Sequence, residues 1–321
     1  MHNFEIDLHS DSFHNKQAHP QHYILDPDLA GAVSVAITLN QPLLLTGEPG
    51  TGKTRLAHKI AWDLSQKYED FLPEPLIYHT KTTSIAQDMF YVYDALRHFH
   101  DANLKKVAGQ EAPPTSDYVD LRALGKAIAL TQEGEISSGR FVTENSPRSS
   151  VVLIDEIDKA PRDFPNDILH EIENMEFEIK EANGHRIRKG NQHRIILILT
   201  SNSEKHLPEP FLRRCVYYNI PFPEQERLME IVRSQLGEQT VYADEELVEH
   251  FLTIREQVKK KKPATAELIA WLRILEVHRF LENGLDFRRL TDSQRTALKL
   301  SYSVLAKNRE DLQTIERWAL T

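Results

Sequence analysis

The stretch that most constrains this chain is Gly47-Glu48-Pro49-Gly50-Thr51-Gly52-Lys53-Thr54, a G-x-x-x-x-G-K-T pattern. The apolar run Pro42-Leu43-Leu44-Leu45-Thr46 precedes it and reads as a buried parallel strand. After it, Leu56, Ile60 and Leu64 stand four apart and predict a helix. Strand, glycine loop and helix in that order are the context in which such a loop holds phosphate. Glycines let the chain turn tightly, so that successive backbone N–H groups converge on one anion. The helix N-terminus behind them adds about half a positive charge. Lys53 is expected to reach the β- and γ-phosphates and the Thr54 hydroxyl to ligate Mg2+, with Gly47 to Gly52 and Arg55 completing the contacts. The bland alternative is a glycine-rich turn that binds nothing.

At about 150 residues per domain, 321 residues suggest two domains with ample length for a core. A formal net charge of −9 weighs against a chain whose main task is coating nucleic acid, though it leaves a local basic groove open. The single Cys215 rules out an intrachain disulfide framework and suits a reducing compartment. No apolar run approaches the roughly 18 residues of a membrane span, and the first residues lack a signal-peptide pattern, so a cytoplasmic protein is expected.

Residues 1 to about 20 are polar and carry His2, His9, His14 and His19. Their spacing fits no standard zinc pattern, and a solvated arm is the simpler reading. Tyr23 and Ile24 follow, either against an adenine ring or as core residues. Asp28 is expected to cap a helix whose apolar face is Leu29, Val33, Ala36 and Ile37. Leu76–Thr80 reads as a strand. Ile85–His100 reads as an amphipathic helix with a wide apolar face, either core or an inserted element with exposed aromatics. Leu121–Thr131 reads as a helix.

The second motif with chemical content is Val151-Val152-Leu153-Ile154 followed by Asp155-Glu156. A buried strand delivering two carboxylates at its C-terminal end is the other half of a nucleotide-hydrolysing site. Asp155 is expected to help hold Mg2+ and Glu156 to act on water as general base. Pro161–Glu173 reads as one helix. Asn183-Gly184 joins two segments that read as a hairpin over about 177–189, whose Arg186, Arg188 and Lys189 either touch a polymer or guard a solvated edge. Arg194–Thr200 reads as a strand that brings Asn202 beside the carboxylates. Arg213 and Arg214 fall at a helix end, and Val216–Ile220 is the last strand. Pro221 and Pro223 mark a boundary, beyond which the pattern is helical, with four helices expected. Lys259–Lys262 reads as a solvated helix end.

Taken in order, Gly47–Thr54, Leu153–Ala160, Thr200-Ser201-Asn202 and Leu207-Pro208-Glu209 leading to Arg214 resemble the AAA+ ATPases, and within them most closely the MoxR group. The resemblance implies an α/β P-loop core, a parallel sheet flanked by helices, over 21–222, and a small all-α lid over 223–321. It implies an insertion in the second helix at about 85–118. It also implies ATP and Mg2+ as cofactors. Asn202 matches the sensor-1 position, and Arg214, with Arg213 as the alternative, matches the arginine finger that reaches a neighbouring subunit. Homo-oligomeric rings, usually hexamers, a protein client, and a partner bearing a von Willebrand factor A domain are further implications. One departure stands out: Pro263–Ile269, where the family's sensor-2 arginine is expected, holds no arginine. Lys262 and Arg273 are the nearby basic residues.

Three functions remain open at this stage. The first is a chaperone-like motor that hydrolyses ATP to remodel or activate a client protein. The second is a nucleic-acid-associated AAA+ motor, motivated by the hairpin arginines and the lysine run. The third is a weakly hydrolysing, nucleotide-gated scaffold, motivated by the absent sensor-2 arginine.

Overall fold

The computed structural model describes residues 19–133, 137–138, 141–142, 146–203, 207–282 and 284–319. The expected polar arm, with His2, His9 and His14, falls outside them up to residue 18. The chain divides into two compact units, Leu25–Gly47 with Lys53–Ile220, and the residues through Ile24 with Glu48–Gly52 and Pro221–Thr321.

The first unit carries β1 (Leu43–Gly47), β2 (Leu76–His79), β3 (Tyr91–Tyr93), β4 (Val119–Leu121), β5 (Ser150–Asp155), β6 (Glu176–Ile179), β7 (His185–Arg188), β8 (Ile195–Thr200) and β9 (Val216–Ile220). Five of them form one sheet in the order β9-β1-β8-β5-β2, and each neighbouring pair is parallel. The central strands are continuous apolar runs because both faces are covered: Leu43–Leu45, Val151–Ile154 and Ile198–Leu199 are all buried. The covering helices include α1 (Pro27–Leu39), α2 (Lys53–Lys67) and α4 (Ala123–Leu130), whereas α3 (Ala95–Val107) buries no residue. α1 is capped by Asp26, two residues earlier than the expected Asp28. Its side chain accepts from the Asp28 N–H, and Pro27 opens the helix.

Two further expectations fail in this unit. Ile85–His100 is not a helix. A short 3-10 turn at Ala86–Met89 leads into β3, which pairs antiparallel with β4, and helix begins only at Ala95. Aromatic Tyr91 and Tyr93 flank β-branched Val92, and that trio suits a pleated surface once a partner strand is present. The wide apolar face splits accordingly: Met89, Phe90 and Tyr91 are core, while Leu96, Phe99, Leu104 and Val107 of α3 are exposed. Pro161–Glu173 also breaks, into α5 (Phe164–Asp167) and α6 (Leu169–Asn174). β6 and β7 pair antiparallel around a turn with Asn183 and Gly184 both left-handed. The Phe90 ring stacks on Phe177 at 5.2 Å, so the β3 segment packs on this hairpin.

After α7 (Glu209–Leu212) and β9, the second unit has α8 (Gln225–Leu236), α9 (Glu245–Gln257), α10 (Thr265–Val277), α11 (Asp292–Leu305) and α12 (Arg309–Ala319). The fifth helix, α12, was not expected. It shows the core Leu312, Ile315 and Ala319, spaced three and four apart on one face, a helical period that the sequence reading passed over. Its start is marked by Asn308, whose side chain accepts from the Asp311 N–H. The core of this bundle centres on Phe251, Trp271, Leu272 and Tyr302. His250 sits among these aromatics, 2.8 Å from the Tyr302 hydroxyl, and burial lowers its pKa to about 4. None of the described helices is long and apolar enough to cross a membrane.

Candidate functional site

In parallel strands the C-terminal ends share one edge, and here that edge collects the chemistry. β1 ends at Gly47, β5 at Asp155 and β8 at Thr200, two residues before Asn202. Lys53, the first residue of α2, is buried. Its ammonium donates to the Gly47 carbonyl at 2.8 Å and to Asn202 Oδ1 at 3.2 Å. The Thr54 hydroxyl donates to Asp155 Oδ1 at 3.0 Å. That oxygen also accepts from the Thr200 hydroxyl at 2.7 Å, and the Thr200 oxygen accepts from the Glu156 N–H at 2.8 Å. Asp155 Oδ2 lies 3.4 Å from His79 Nδ1, where the β2–β5 register places His79 opposite Asp155. Arg55 lies beside this cluster on α2, half-buried.

Glu156 has φ 57° and ψ 49°, a left-handed conformation that costs a non-glycine residue about 1–3 kcal/mol. It turns the chain off the strand into a 3-10 turn at Ile157–Lys159, and the Lys159 ammonium bonds the Glu156 carboxylate. That bond holds the Lys159 pKa above the usual lysine value. Asp158 Oδ1 accepts from the Asn202 N–H at 3.2 Å, so the same turn steadies the backbone under Asn202.

Within the second unit, residues 48–52 meet Arg255, Ala264 and Tyr23. The Arg255 guanidinium pairs with the Glu48 carboxylate. A methyl group built on Gly50 would stand 2.8 Å from the Ala264 Cβ. One built on Gly52 would stand 3.1 Å from the Tyr23 ring. Gly50 and Gly52 have φ of 80° and 89°, so both need glycine for conformation as well as for space. Thr51 closes the turn, its hydroxyl donating to the Glu48 carbonyl at 2.9 Å, and Pro49 is exposed. The Ile24 carbonyl accepts from Arg227 at 3.1 Å.

Arg214 lies at the opposite edge of the sheet. β9 begins at Val216, level with Leu43, while Gly47 is level with Ile220. The four strand steps between those levels span about 13 Å. Arg214 bonds Glu173 of α6 and donates to the Pro210 carbonyl at 2.9 Å. Arg213 pairs only along its own turn, with Glu209. A cavity of about 190 Å3 opens at this edge, lined by Ala36, Pro42, Ile195 and Cys215 together with Glu173 and Arg214. Burial pushes the Cys215 thiol up to about 12.

Sequence reasoning passed over His79, Thr200, Asp158, Lys159 and Arg255. Thr200 was legible as the last residue of a strand running beside β5. Asp158 and Lys159 fall within the Leu153–Ala160 stretch, two and three residues past Glu156, whereas His79 and Arg255 owe their positions to strand register or long-range contact and had no local signal.

Comparisons with known proteins bear on the family. Domain III of the replication initiation protein DnaA from Thermotoga maritima is 15% identical, with 91% of this chain and 96% of that chain covered and a TM-score of 0.42. A katanin structure solved to explain self-assembly is 13% identical, with 94% and 90% covered and a TM-score of 0.40. A threonine-to-valine variant of Thermotoga maritima RuvB is 17% identical, with 88% and 68% covered and a TM-score of 0.43. No curated protein sequence matches. Residues 43–223, more than half of the chain, match the family described as "ATPase family associated with various cellular activities (AAA)". The β1–α2 loop, the Asp155 strand and the five-stranded parallel sheet all lie within that match, and the chain belongs to this family of ATP hydrolases.

Proposed function

We propose that the chain hydrolyses ATP with Mg2+ at a site completed by a second copy of itself, and that it is a MoxR-like member acting on a protein client. The observation that carries the chemistry is the bonded set Lys53–Asn202 and Thr54–Asp155–Thr200–Glu156 at one sheet edge. The donors fit the cofactors. A hydroxyl and a carboxylate oxygen 3.0 Å apart suit a hard cation, and Thr54 and Asp155 are the residues that would hold it. Mg2+, when bound, neutralises charge on the phosphate oxygens. Lys53 trades Gly47 and Asn202 for phosphate, and the Gly47–Gly52 backbone, Pro49 excepted, donates its N–H groups there. Asn202, released from Lys53, orients the water, and Glu156 takes a proton from it at its carboxylate. Lys159 must first yield that carboxylate, so the pair keeps the base occupied until a water is in place.

Arg214 supports a shared site: its side chain is engaged about 13 Å of strand away from its own phosphate loop. The subgroup reading rests on the β6–β7 hairpin between β5 and β8 and on the β3–α3–β4 segment, together with the motifs. The nucleic-acid reading has less support, because the hairpin arginines have acidic partners on the same hairpin. Arg186 pairs with Glu176 and Glu178, and Arg188 with Glu176.

Phosphate release tests this reading. Wild-type protein is expected to release phosphate from ATP only with Mg2+ present, and Lys53→Ala to lose both binding and release. DNA is expected to leave the rate unchanged. Stimulation by DNA would shift the assignment to the nucleic-acid motor, and wild-type turnover at the Lys53→Ala level to the gated scaffold.

A further inference from the structure

The helical unit offers the phosphate loop one buried cation, and it is not in the stretch where the family resemblance places an arginine. Arg255 lies near the end of α9 and is 7% exposed. Three groups hold its guanidinium. One amino group donates to the Pro263 carbonyl at 2.6 Å, the face lies 3.6 Å above the Phe222 ring centroid, and the other amino group bonds the Glu48 carboxylate. The planar fork of arginine suits this combination, since it stacks and donates in two directions at once.

Glu48 is a strange residue for its place. It lies in a loop whose backbone is shaped to attract anions, and it carries an anion itself. Unpaired, its charge would repel phosphate within a few ångströms. We propose that Arg255 is a positioning residue of the phosphate loop: by neutralising Glu48 and fixing its side chain, it sets the loop for phosphate from the helical unit. This rests on the reading of Gly47–Thr54 as the nucleotide loop. The Gly50–Ala264 contact belongs to the same device, because it seats the loop against the start of α10 while Arg255 holds its first turn. The pair explains why no arginine is needed between Pro263 and Ile269. In this chain the helical unit addresses the loop through a loop carboxylate.

The test is a rescue, read by titration of a fluorescent ATP analogue rather than by turnover. R255M removes the Arg255 charge from beside Glu48 and is expected to raise the dissociation constant about tenfold, the factor that a charge-assisted hydrogen bond commands. E48Q added to R255M removes the offending charge and is expected to return the constant to within about threefold of wild type. A packing role for Arg255 predicts no rescue, and a double variant as weak as R255M overturns the proposal. Should R255M fail to fold by its melting profile, E48Q alone carries the test, since Glu48 is half exposed. Without nucleotide, amide hydrogen exchange at residues 50–53 is expected to quicken in E48Q while α9 stays protected, and unchanged exchange there overturns the proposal. Wild-type binding that Lys53→Ala abolishes keeps the nucleotide reading intact whichever way Arg255 falls.

Discussion

At the C-terminal edge of the sheet, Lys53, Thr54, Asp155, Thr200 and Asn202 bond one another, and every bond is one a phosphate or a hard cation can replace. At the N-terminal edge, Arg214 is tied to Glu173 and Pro210 beside a small apolar cavity. The first edge is closed on itself, with Lys53 held by Gly47 and Asn202 and Lys159 held by Glu156. The second has the cation and nothing for it to act on. A sheet whose two edges hold complementary inventories is of most use to a neighbouring copy, and that is the physical content of the proposed shared site.

Arg214→Ala strikes the comparison hardest. Turnover is expected to fall about 10³-fold, in the range for loss of an arginine finger, with nucleotide affinity unchanged. Mixing it with Lys53→Ala subunits is expected to restore turnover, because some interfaces then join an intact loop to an intact arginine. No restoration at any ratio would place the reaction within one chain. Glu156→Gln comes next, with a fall of about 10²-fold or more in steady-state phosphate release and ATP still bound. Unchanged turnover would remove Glu156 and transfer attention to Asp158. Glu173→Gln is the mildest. The pair it breaks is half exposed on both sides, and such pairs are worth about 0–1 kcal/mol. Turnover at low protein concentration is expected to rise by less than about fivefold, since Arg214 no longer has to leave a local partner. A fall would mean that Glu173 aims the arginine rather than detains it.

The fold class was legible because its cues are contiguous. Gly47–Thr54 and Val151–Glu156 each carry their chemistry in a run of neighbours, and the strands of a parallel sheet announce themselves as apolar runs. What was not legible depends on residues far apart in sequence. Met89, Val92, Tyr93 and Leu96 have the spacing of a helix face until Val119–Leu121 pairs with Tyr91–Tyr93. His79 meets Asp155 through strand register alone. Arg255 looks like any helical arginine until Glu48, Phe222 and Pro263 gather around it. Local propensity decides elements, whereas tertiary pairing decides which of them share a site.

Ala264 has a debt of its own. A side chain at residue 50 is barred twice, by its φ of 80° and by the 2.8 Å approach to Ala264. The approach is mutual, so the size allowed at residue 264 is set by a loop more than two hundred residues earlier in the chain. Anyone redesigning the start of α10 inherits the glycine's restriction without seeing a glycine there: a valine at 264 would press on the phosphate loop although it touches no nucleotide.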